Sequence, residues 1–190
     1  MGKSKKTSRR PGKIRIVGGK WRGRKFPVPG VAGLRPTPDR VRETLFNWLQ
    51  PVIAGARCLD LYAGTGILGL EAVSRGAADA ILVEQDSSLI AQIQRNVEML
   101  DAGGEVYVEQ AEALSWLRHN KNRFDLVFLD PPFGQGLIEK STGLLKEKGC
   151  LQPHAMIYVE SEPELQVPDG LRVIKQGKAG KVKFMLVELV

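Results

Sequence analysis

The 190-residue chain is poor in the residue types that build disulfides, metal sites and histidine-dependent catalysis. It has two cysteines, Cys58 and Cys150, far apart and without Cys-x-x-Cys spacing, which favours reduced thiols in a cytosolic protein. Its two histidines, His119 and His154, form no cluster of metal ligands with them, so no metal is expected and a catalytic triad is poorly supported. No apolar run approaches the length of a membrane span, and none follows the basic amino terminus, so we expect a cytoplasmic protein without a secretory signal.

Acidic residues are scarce in the first quarter of the chain. Residues 1–48 contain 14 Lys and Arg but 2 Asp and Glu, a net charge of +12, whereas the remainder contains 14 and 19, a net of −5, which gives the total of +7. A basic arm on a neutral-to-acidic body suits an enzyme that acts on nucleic acid, because the arm can neutralise phosphates. We expect a disordered basic tail over residues 1–12, a nucleic-acid-binding extension over 13–50 and a catalytic domain over 51–190.

The extension is predicted to contain a β-hairpin and a helix. Alternating residues over 13–28 predict a hairpin that turns at a Gly-Gly pair. Thr37 suits an N-cap and is followed by proline, so a helix is predicted from there to about Leu49. The apolar stripe of this helix consists of Val41, Leu45, Trp48 and Leu49. Arg40 and Arg42 fall off this stripe, where their cations could meet phosphates.

From Arg57 onward, apolar strands alternate with helices. Strands are predicted over 57–62, 80–84, 105–109, 124–129 and 155–160, and helices over 66–76, 87–100, 111–119 and 136–148. This alternation is typical of a doubly wound α/β fold with a mostly parallel sheet. Two further strand-like runs, 171–176 and 182–189, are separated by a Gly-containing turn. The last of seven strands is therefore expected to run antiparallel.

A tetrad from Asp130 to Phe133 follows the apolar strand 124–129. Open α/β sheets bind ligands at the carboxyl ends of their strands, so the tetrad is expected in a ligand site. Asp130 supplies an anionic acceptor, Pro131 and Pro132 form a stiff rim with outward carbonyls, and Phe133 supplies a flat π-face. This set, the candidate catalytic residues, suits a planar ring with an exocyclic NH2 group that stacks on the aromatic and donates to the acceptors. The alternative is a proline-rich turn with the phenylalanine in the core.

A glycine-rich segment, Gly64-Thr-Gly66-Ile-Leu-Gly69, joins a predicted strand to a predicted helix and fits the G-x-G-x-x-G pattern of nucleoside-cofactor sites. Glu84 ends the next strand, 20 residues after Gly64, where an acid that binds ribose hydroxyls is expected. Asp60 lies in the mouth of this loop, where a carboxylate would oppose a pyrophosphate but suits a cationic ligand such as S-adenosylmethionine. Glu112 either accepts from the adenine amine or stabilises a helix amino terminus.

Four segments together resemble one family: Arg35 to Leu49, Asp60 to Gly66, Glu84 to Asp86, and Asp130 to Phe133. They are similar to the bacterial 16S ribosomal RNA guanine-N2 methyltransferases over residues 13–190, and the Arg-Pro-Thr sequence is the discriminating part. The resemblance implies a seven-stranded Rossmann-like methyltransferase fold, S-adenosylmethionine as cofactor, and methylation of the exocyclic N2 of a guanine in 16S rRNA. The cofactor-binding residues are then expected to be Asp60, Tyr62, Gly64, Thr65, Gly66, Glu84, Gln85, Ala111, Glu112 and Asp130. The sequence departs from the family pattern at Glu112, where Asp or Asn is expected.

The basic extension is predicted to hold the RNA through phosphate contacts, which give salt-dependent affinity with little sequence preference. The candidates are Arg22, Arg24, Lys25, Arg35, Thr37, Arg40 and Arg42, with Lys178, Lys181 and Lys183 of the last hairpin as further candidates. Trp21 either stacks on a base or belongs to the hairpin core. The 16S rRNA is expected within a small ribosomal subunit or an assembly intermediate, and the enzyme is expected to be a monomer that does not bind membranes.

Three other functions are compatible with parts of the pattern. A methyltransferase could instead act on another sp2 amine, namely adenine N6 in nucleic acid or a protein glutamine. A nicotinamide-dependent oxidoreductase would explain the glycine-rich loop and Glu84, although Asp60 and the tetrad argue against it. A non-catalytic RNA-binding or ribosome-assembly factor could have kept the fold.

Overall fold

The computed structural model describes residues 12–31 and 36–190, so the predicted tail lies outside it except for Gly12, and Arg35 lies outside as well. The helices are α1 (Asp39–Leu49), α2 (Ile67–Ser74), α3 (Ser87–Met99), α4 (Ala113–His119) and α5 (Leu137–Glu147). The strands are β1 (Lys13–Arg15), β2 (Lys25–Pro27), β3 (Arg57–Asp60), β4 (Asp79–Glu84), β5 (Val106–Gln110), β6 (Phe124–Leu129), β7 (Leu151–Ser161), β8 (Leu171–Ala179) and β9 (Val182–Leu189).

Seven strands form the main sheet in the order β5-β4-β3-β6-β7-β9-β8. The first five of these are parallel, and β9 lies antiparallel between β7 and β8. The predicted doubly wound, seven-stranded sheet with an antiparallel last strand is confirmed. The predicted bounds differ mainly at β7, which begins four residues earlier than predicted, and at β8, which continues to Ala179 where a turn from Gly177 was predicted. Within the described ranges, no helix is long and apolar enough to cross a bilayer.

The two faces of the sheet bury separate hydrophobic cores. One face packs against the amino-terminal hairpin and helices α1 to α3, and its core includes Ile14, Phe46 and Leu70. The other face packs against α4 and α5, and its core includes Leu117 and Leu145. The side chains of parallel strands buried on both faces are apolar almost throughout, which is why the strands read as continuous apolar runs. The amino-terminal extension therefore shares a core with the sheet.

The amino-terminal hairpin is less regular than predicted. Its strands β1 and β2 are three residues each, and the connection spans residues 16–24 instead of a tight turn at the Gly-Gly pair. The turn is fixed to the end of α2, because the Lys20 N–H donates to the Ser74 carbonyl at 2.7 Å and the Ser74 hydroxyl donates to the Gly18 carbonyl at 2.7 Å. The Lys20 ammonium also pairs with Glu105, just before β5, at 2.6 Å. Since α2 runs back from the carboxyl ends of the strands, this turn lies at the amino-end edge of the sheet.

Helix α1 corrects two predictions. Thr37 does not cap it: the helix begins at Asp39 and has no side-chain cap. Arg42 is not an exposed cation, because its side chain is fully buried and its guanidinium donates to the carbonyls of Thr37 (3.0 Å) and Arg15 (2.6 Å). It also lies 3.3 Å from the buried carboxylate of Glu71. A guanidinium can be buried when carbonyls and carboxylates surround it, so the position off the apolar stripe did not imply exposure.

We expect the substitution Arg42→Ala to lower the free energy of unfolding by about 3–5 kcal/mol, because it removes one of the two cations that pair with the buried Glu71, leaves only Arg75 there, and removes the donor to the Thr37 and Arg15 carbonyls. Urea unfolding followed by circular dichroism measures this value. The matched control is Arg40→Ala on the exposed side of the same helix, which should change the value by no more than about 0.5 kcal/mol. Equal losses in the two variants would contradict a structural role for Arg42.

Candidate active site

The glycine-rich loop after β3 is built as the sequence predicts. Gly64 and Gly66 have positive φ angles of 55° and 75°, which favour glycine. A Cβ atom at Gly66 would lie 2.9 Å from Leu82, so the loop also has no room for a side chain there. Glu84 accepts from the Gly64 N–H at 2.9 Å, and its other oxygen accepts from the Gln85 N–H at 2.8 Å. The acid at the end of β4 therefore fixes the loop, and its contact with ribose hydroxyls stays a prediction.

Three carboxylates lie at the carboxyl ends of adjacent strands on one face of the sheet. In the register of β3, β6 and β7, Asp60 is opposite Phe128 and Phe128 is opposite Tyr158. Asp130 and Glu160 follow two residues later, and side chains two residues apart in a strand share a face. We call Asp60, Asp130 and Glu160 the acidic triplet. Its members lie on the same face as the amino-terminal hairpin and α1.

Asp60 is 2% exposed and accepts a hydrogen bond from the Gly69 N–H at 3.1 Å. Burial raises the pKa of Asp60 to about 7; the bond from Gly69 opposes this rise, and the charges of Glu84 and Glu160 add to it. Loss of water, and then the charges of Glu160 and Asp60, also raise the pKa of Asp130 well above its usual value. Such a cluster of buried acids is stabilised when a cation binds beside it.

The candidate catalytic tetrad is the loop that follows β6, and its first residue, Asp130, is also a member of the acidic triplet. Phe133 is 44% exposed, which excludes the alternative of a core phenylalanine. Pro131 is buried and Pro132 is exposed. A shallow hollow at this loop is lined by Phe133 and also by Glu162 and Leu165 from the connection after β7. An exposed aromatic face next to a carboxylate can bind a flat ring that carries an amine.

Glu160 is the site residue that sequence reasoning missed. It is 5% exposed, and its Oε1 accepts from the Thr37 hydroxyl at 2.7 Å and from the Tyr158 hydroxyl at 2.9 Å. Burial raises the pKa of Glu160, although the two hydroxyls and Arg42 oppose the rise. Its role could have been predicted from its position, because it is an acid near the end of an apolar strand that neighbours the strand before Asp130. The hydrogen bond between Thr37 and Glu160 places Thr37 at the carboxyl-end edge of the sheet.

The other predicted cofactor residues surround the same edge. The Tyr62 hydroxyl hydrogen-bonds with that of Ser141 at 2.8 Å. Thr65 is buried in the loop, whereas Gln85 is exposed. Ala111 follows β5, and its N–H donates to the carbonyl of Glu84 at 3.0 Å.

Glu112 caps helix α4, which is one of its two predicted roles. Its carboxylate accepts from the N–H groups of Leu114 at 3.0 Å and Ser115 at 2.7 Å. Its position after β5 still allows the predicted contact with adenine, which stays a prediction.

The predicted RNA-binding residues differ in their exposure and in their distance from the acidic triplet. Arg22, Arg24 and Lys25 are exposed, and Arg24 donates to the carbonyl of Met99 at 2.7 Å. Arg22 and Arg24 therefore lie near the amino-end edge of the sheet and not beside the acidic triplet. Arg40 is exposed in the first turn of α1, whereas Arg42 is buried. Trp21 packs partly against the hairpin core beneath the Lys20 ammonium, 4.5 Å from its ring centre.

Comparison with known proteins identifies the family. The sequence model of the family described as conserved hypothetical protein 95 matches residues 14–188. The chain is also 49% identical over 180 residues to the ribosomal RNA small subunit methyltransferase D of Escherichia coli K12, covering 93% of this chain and 90% of that protein. The chain belongs to the ribosomal RNA small subunit methyltransferase D family. The protein of the same name from Haemophilus influenzae is 43% identical, covering 93% and 94% of the two chains.

Solved structures agree with this membership of the methyltransferase D family. A structure described as a putative methyltransferase from Escherichia coli has a TM-score of 0.85 and 50% identity, covering 94% of this chain and 98% of that one. A putative methylase from Haemophilus influenzae has a TM-score of 0.79 and 40% identity, covering 93% and 98%. The chain is thus an S-adenosylmethionine-dependent methyltransferase, and the family resemblance and cofactor predicted from the sequence are confirmed. Among the described residues, no group of three or more His, Cys, Asp and Glu could hold a metal ion.

The affinity for S-adenosylmethionine should rise with pH between 6 and 8. With a pKa raised to about 7, Asp60 is mostly protonated at the lower pH and mostly ionised at the higher, and only the ionised form attracts a cation. We expect a gain of about five- to tenfold, measured by isothermal titration calorimetry.

The variant Asp60→Asn is the control for this pH dependence. It retains any titration of the ligand's own amine, so the ratio of wild-type to variant affinity isolates the contribution of Asp60. A ratio that stays constant from pH 6 to 8 would contradict the assignment of Asp60 to the cationic end of the cofactor.

Proposed function

We propose that this enzyme transfers a methyl group from S-adenosylmethionine to the exocyclic N2 amine of a guanine in 16S ribosomal RNA of the small subunit. The RNA substrate is inferred from the names of the relatives, since the Escherichia coli and Haemophilus influenzae proteins are called ribosomal RNA small subunit methyltransferases. The choice of an amine as the methyl acceptor is inferred from the chemistry of the site. Because the substrate is ribosomal, we expect a cytoplasmic enzyme that acts on a small subunit or an assembly intermediate. We also expect the enzyme to be a monomer.

The observation that carries this proposal is the exposed ring of Phe133 in the same short loop as the carboxylate of Asp130, directly after β6. A base that has left its stack can lie against the phenylalanine, since enzymes that modify bases take them out of the helix. Its exocyclic amine can then donate to the Asp130 carboxylate and the Pro131 carbonyl. Two acceptors for the two hydrogens of one amine select an NH2 group.

The cofactor site lies on the other side of Asp130. Asp60 ends the strand next to that of Asp130, and the loop that carries Gly64 and Gly66 starts there. The carboxylate of Asp60 suits the cationic end of the cofactor, and Glu84 suits its ribose hydroxyls. When bound, S-adenosylmethionine supplies an electrophilic methyl group on its sulfonium. Asp60 and Asp130 thus direct the two reactants toward each other.

The role of Asp130 is to prepare the nitrogen for attack. The lone pair of a guanine N2 is delocalised into the ring, and acceptance of both hydrogens by Asp130 and Pro131 favours a pyramidal nitrogen with a free lone pair. The new N–C bond forms as the S–C bond breaks, and the products are N2-methylguanine and S-adenosylhomocysteine. The nitrogen is cationic at that point and releases its proton readily, so a strong base is not needed. The acceleration comes from positioning and charge arrangement.

The expected product is N2-methylguanosine in small-subunit rRNA. The enzyme is incubated with radiolabelled S-adenosylmethionine and three substrates: naked 16S rRNA, assembled small subunits that lack the modification, and total protein extract. Nuclease digestion and chromatography then identify the labelled nucleoside, and the better RNA substrate shows whether ribosomal proteins are needed. Label in adenosine or in protein would overturn the guanine assignment and leave a methyltransferase with another sp2 amine as substrate.

The variant Asp130→Ala should reduce single-turnover methyl transfer by about a hundredfold or more, a size typical of the loss of a positioned acceptor. Its affinity for S-adenosylmethionine should change far less, since Asp60 and Glu84 remain. Asp130→Asn retains an acceptor without the charge and should fall between the wild type and the alanine variant. The control is Asp169→Ala, which alters an exposed acid in the connection between β7 and β8. An unchanged single-turnover rate in Asp130→Ala would exclude this role.

A further inference from the structure

The last hairpin of the chain is strongly basic. Strands β8 and β9 and their turn contain Arg172, Lys175, Lys178, Lys181 and Lys183, and residues 171–187 contain no Asp or Glu. Arg172 pairs with Glu188 near the far end of the hairpin. The other four cations form no ion pair within the described part of the chain. These lysines therefore have their charge available for a partner.

The turn of this hairpin lies at the carboxyl-end edge of the parallel strands. Strand β9 runs antiparallel to β7, so its first residues are beside the end of β7: Lys183 pairs with Ser161. In β8, Lys178 pairs with Lys183, and one further pair, Ala179 with Val182, precedes the turn. Gly180 has a φ of 60° at the first central position, as in a type II′ turn, and Lys181 follows it at the tip.

The lysines lie on the side of the sheet to which the tetrad loop opens. In β9, Phe184 belongs to the core on the α1 face, so Lys183 and its partner Lys178 belong to the opposite face. The hollow that Phe133 lines is also lined by Ile138 and Leu165, which belong to the core on that opposite face. Strands in a sheet are about 4.8 Å apart, and β9 lies two strands from β6. The backbone of Lys183 is therefore about 10 Å from the strand that Asp130 follows. A base against Phe133 would thus have its neighbouring phosphates within reach of these side chains.

The amino-terminal arginines occupy the other end of the molecule. The turn that carries Arg22 is fixed to Ser74 at the end of α2 and to Glu105 before β5. Both anchors lie at the amino-end edge of the sheet: Ser74 ends α2, about 12 Å from the start of this eight-residue helix, and Glu105 precedes β5. Cations at that edge can contact RNA that extends along the molecule, but they do not flank the base that reacts.

We propose that Lys178, Lys181 and Lys183 form the phosphate-binding surface that holds the RNA backbone beside the target base. This inference rests on the proposed function, because it requires an RNA substrate at the tetrad. Phosphate contacts position an RNA without reading its sequence, and each gives a salt-dependent contribution to affinity. Selection of the base is left to Asp130 and its neighbours. The hairpin thus orients the RNA, and the tetrad binds the base that is methylated.

The test compares two double variants with the same loss of charge. Lys178→Gln/Lys181→Gln removes two exposed lysines of the hairpin, and Lys121→Gln/Lys148→Gln removes two exposed lysines before β6 and after α5, at the opposite edge. Binding of an unmodified small-subunit rRNA transcript is measured at several salt concentrations. Steady-state methylation of the same transcript gives kcat and KM, and calorimetry gives the affinity for S-adenosylmethionine.

For the hairpin variant, the slope of log affinity against log salt concentration should become shallower by about 1.4–1.8, which is 0.7–0.9 for each phosphate contact. Its KM for RNA should rise about tenfold or more at low salt, while kcat at saturating RNA and the affinity for S-adenosylmethionine stay within about twofold. The control variant should keep the wild-type slope and KM. A purely structural role of the lysines would not change the salt slope.

Two results would overturn the inference. One is a hairpin variant whose slope and KM match those of the wild type and the control, while the wild type still methylates the transcript. The other is a hairpin variant that loses affinity for S-adenosylmethionine, since the lysines would then act through the cofactor site. A wild-type enzyme that transfers no label to any ribosomal RNA substrate would instead overturn the proposed function itself.

Discussion

The acidic triplet is the constraint on which the rest of the structure depends. Asp60, Asp130 and Glu160 end three neighbouring strands on one face. Burial raises the pKa of each, and the charges of nearby acids raise the pKa values of Asp60 and Asp130 further. An arrangement of this kind opposes folding, because buried like charges are costly without partners. The same arrangement favours a ligand that brings a cation to one acid and an amine to the next. The acids to which the proposed function assigns the two ligands are thus already in place in the protein alone.

The amino-terminal extension relieves part of this cost and is built into the site. Arg42 brings a positive charge close to the acids and is held by the carbonyls of Thr37 and Arg15 and by Glu71. Thr37 donates its hydroxyl to Glu160. The extension therefore helps to stabilise the acids of the domain on which it packs. Its arginine content was the reason to expect RNA contacts from the sequence, yet one of these arginines, Arg42, is buried and stabilises the fold.

Local patterns predicted the sheet and the position of the tetrad, because both depend on short-range rules. Apolar runs define buried parallel strands, and a strand that ends in Asp130 places that acid at the ligand edge. Contacts between distant segments were not predictable in this way. The burial of Arg42 depends on Glu71 in another helix, and the role of Thr37 depends on Glu160, which lies 123 residues away. A single sequence contains no local signal for either pairing.

The direction of the strands determines which basic surface can serve the reaction. In an open α/β sheet, the strands place the chemistry at their carboxyl ends, so a charged segment contributes to substrate binding there only if it reaches that edge. The amino-terminal turn is rich in arginine but ends at the opposite edge, beside Ser74 and Glu105. The final hairpin reaches the carboxyl-end edge because β8 runs in the same direction as β7 and the antiparallel β9 starts beside Ser161, at the end of β7. The reversal of one strand in an otherwise parallel sheet thus brings Lys178, Lys181 and Lys183 to the side of the tetrad.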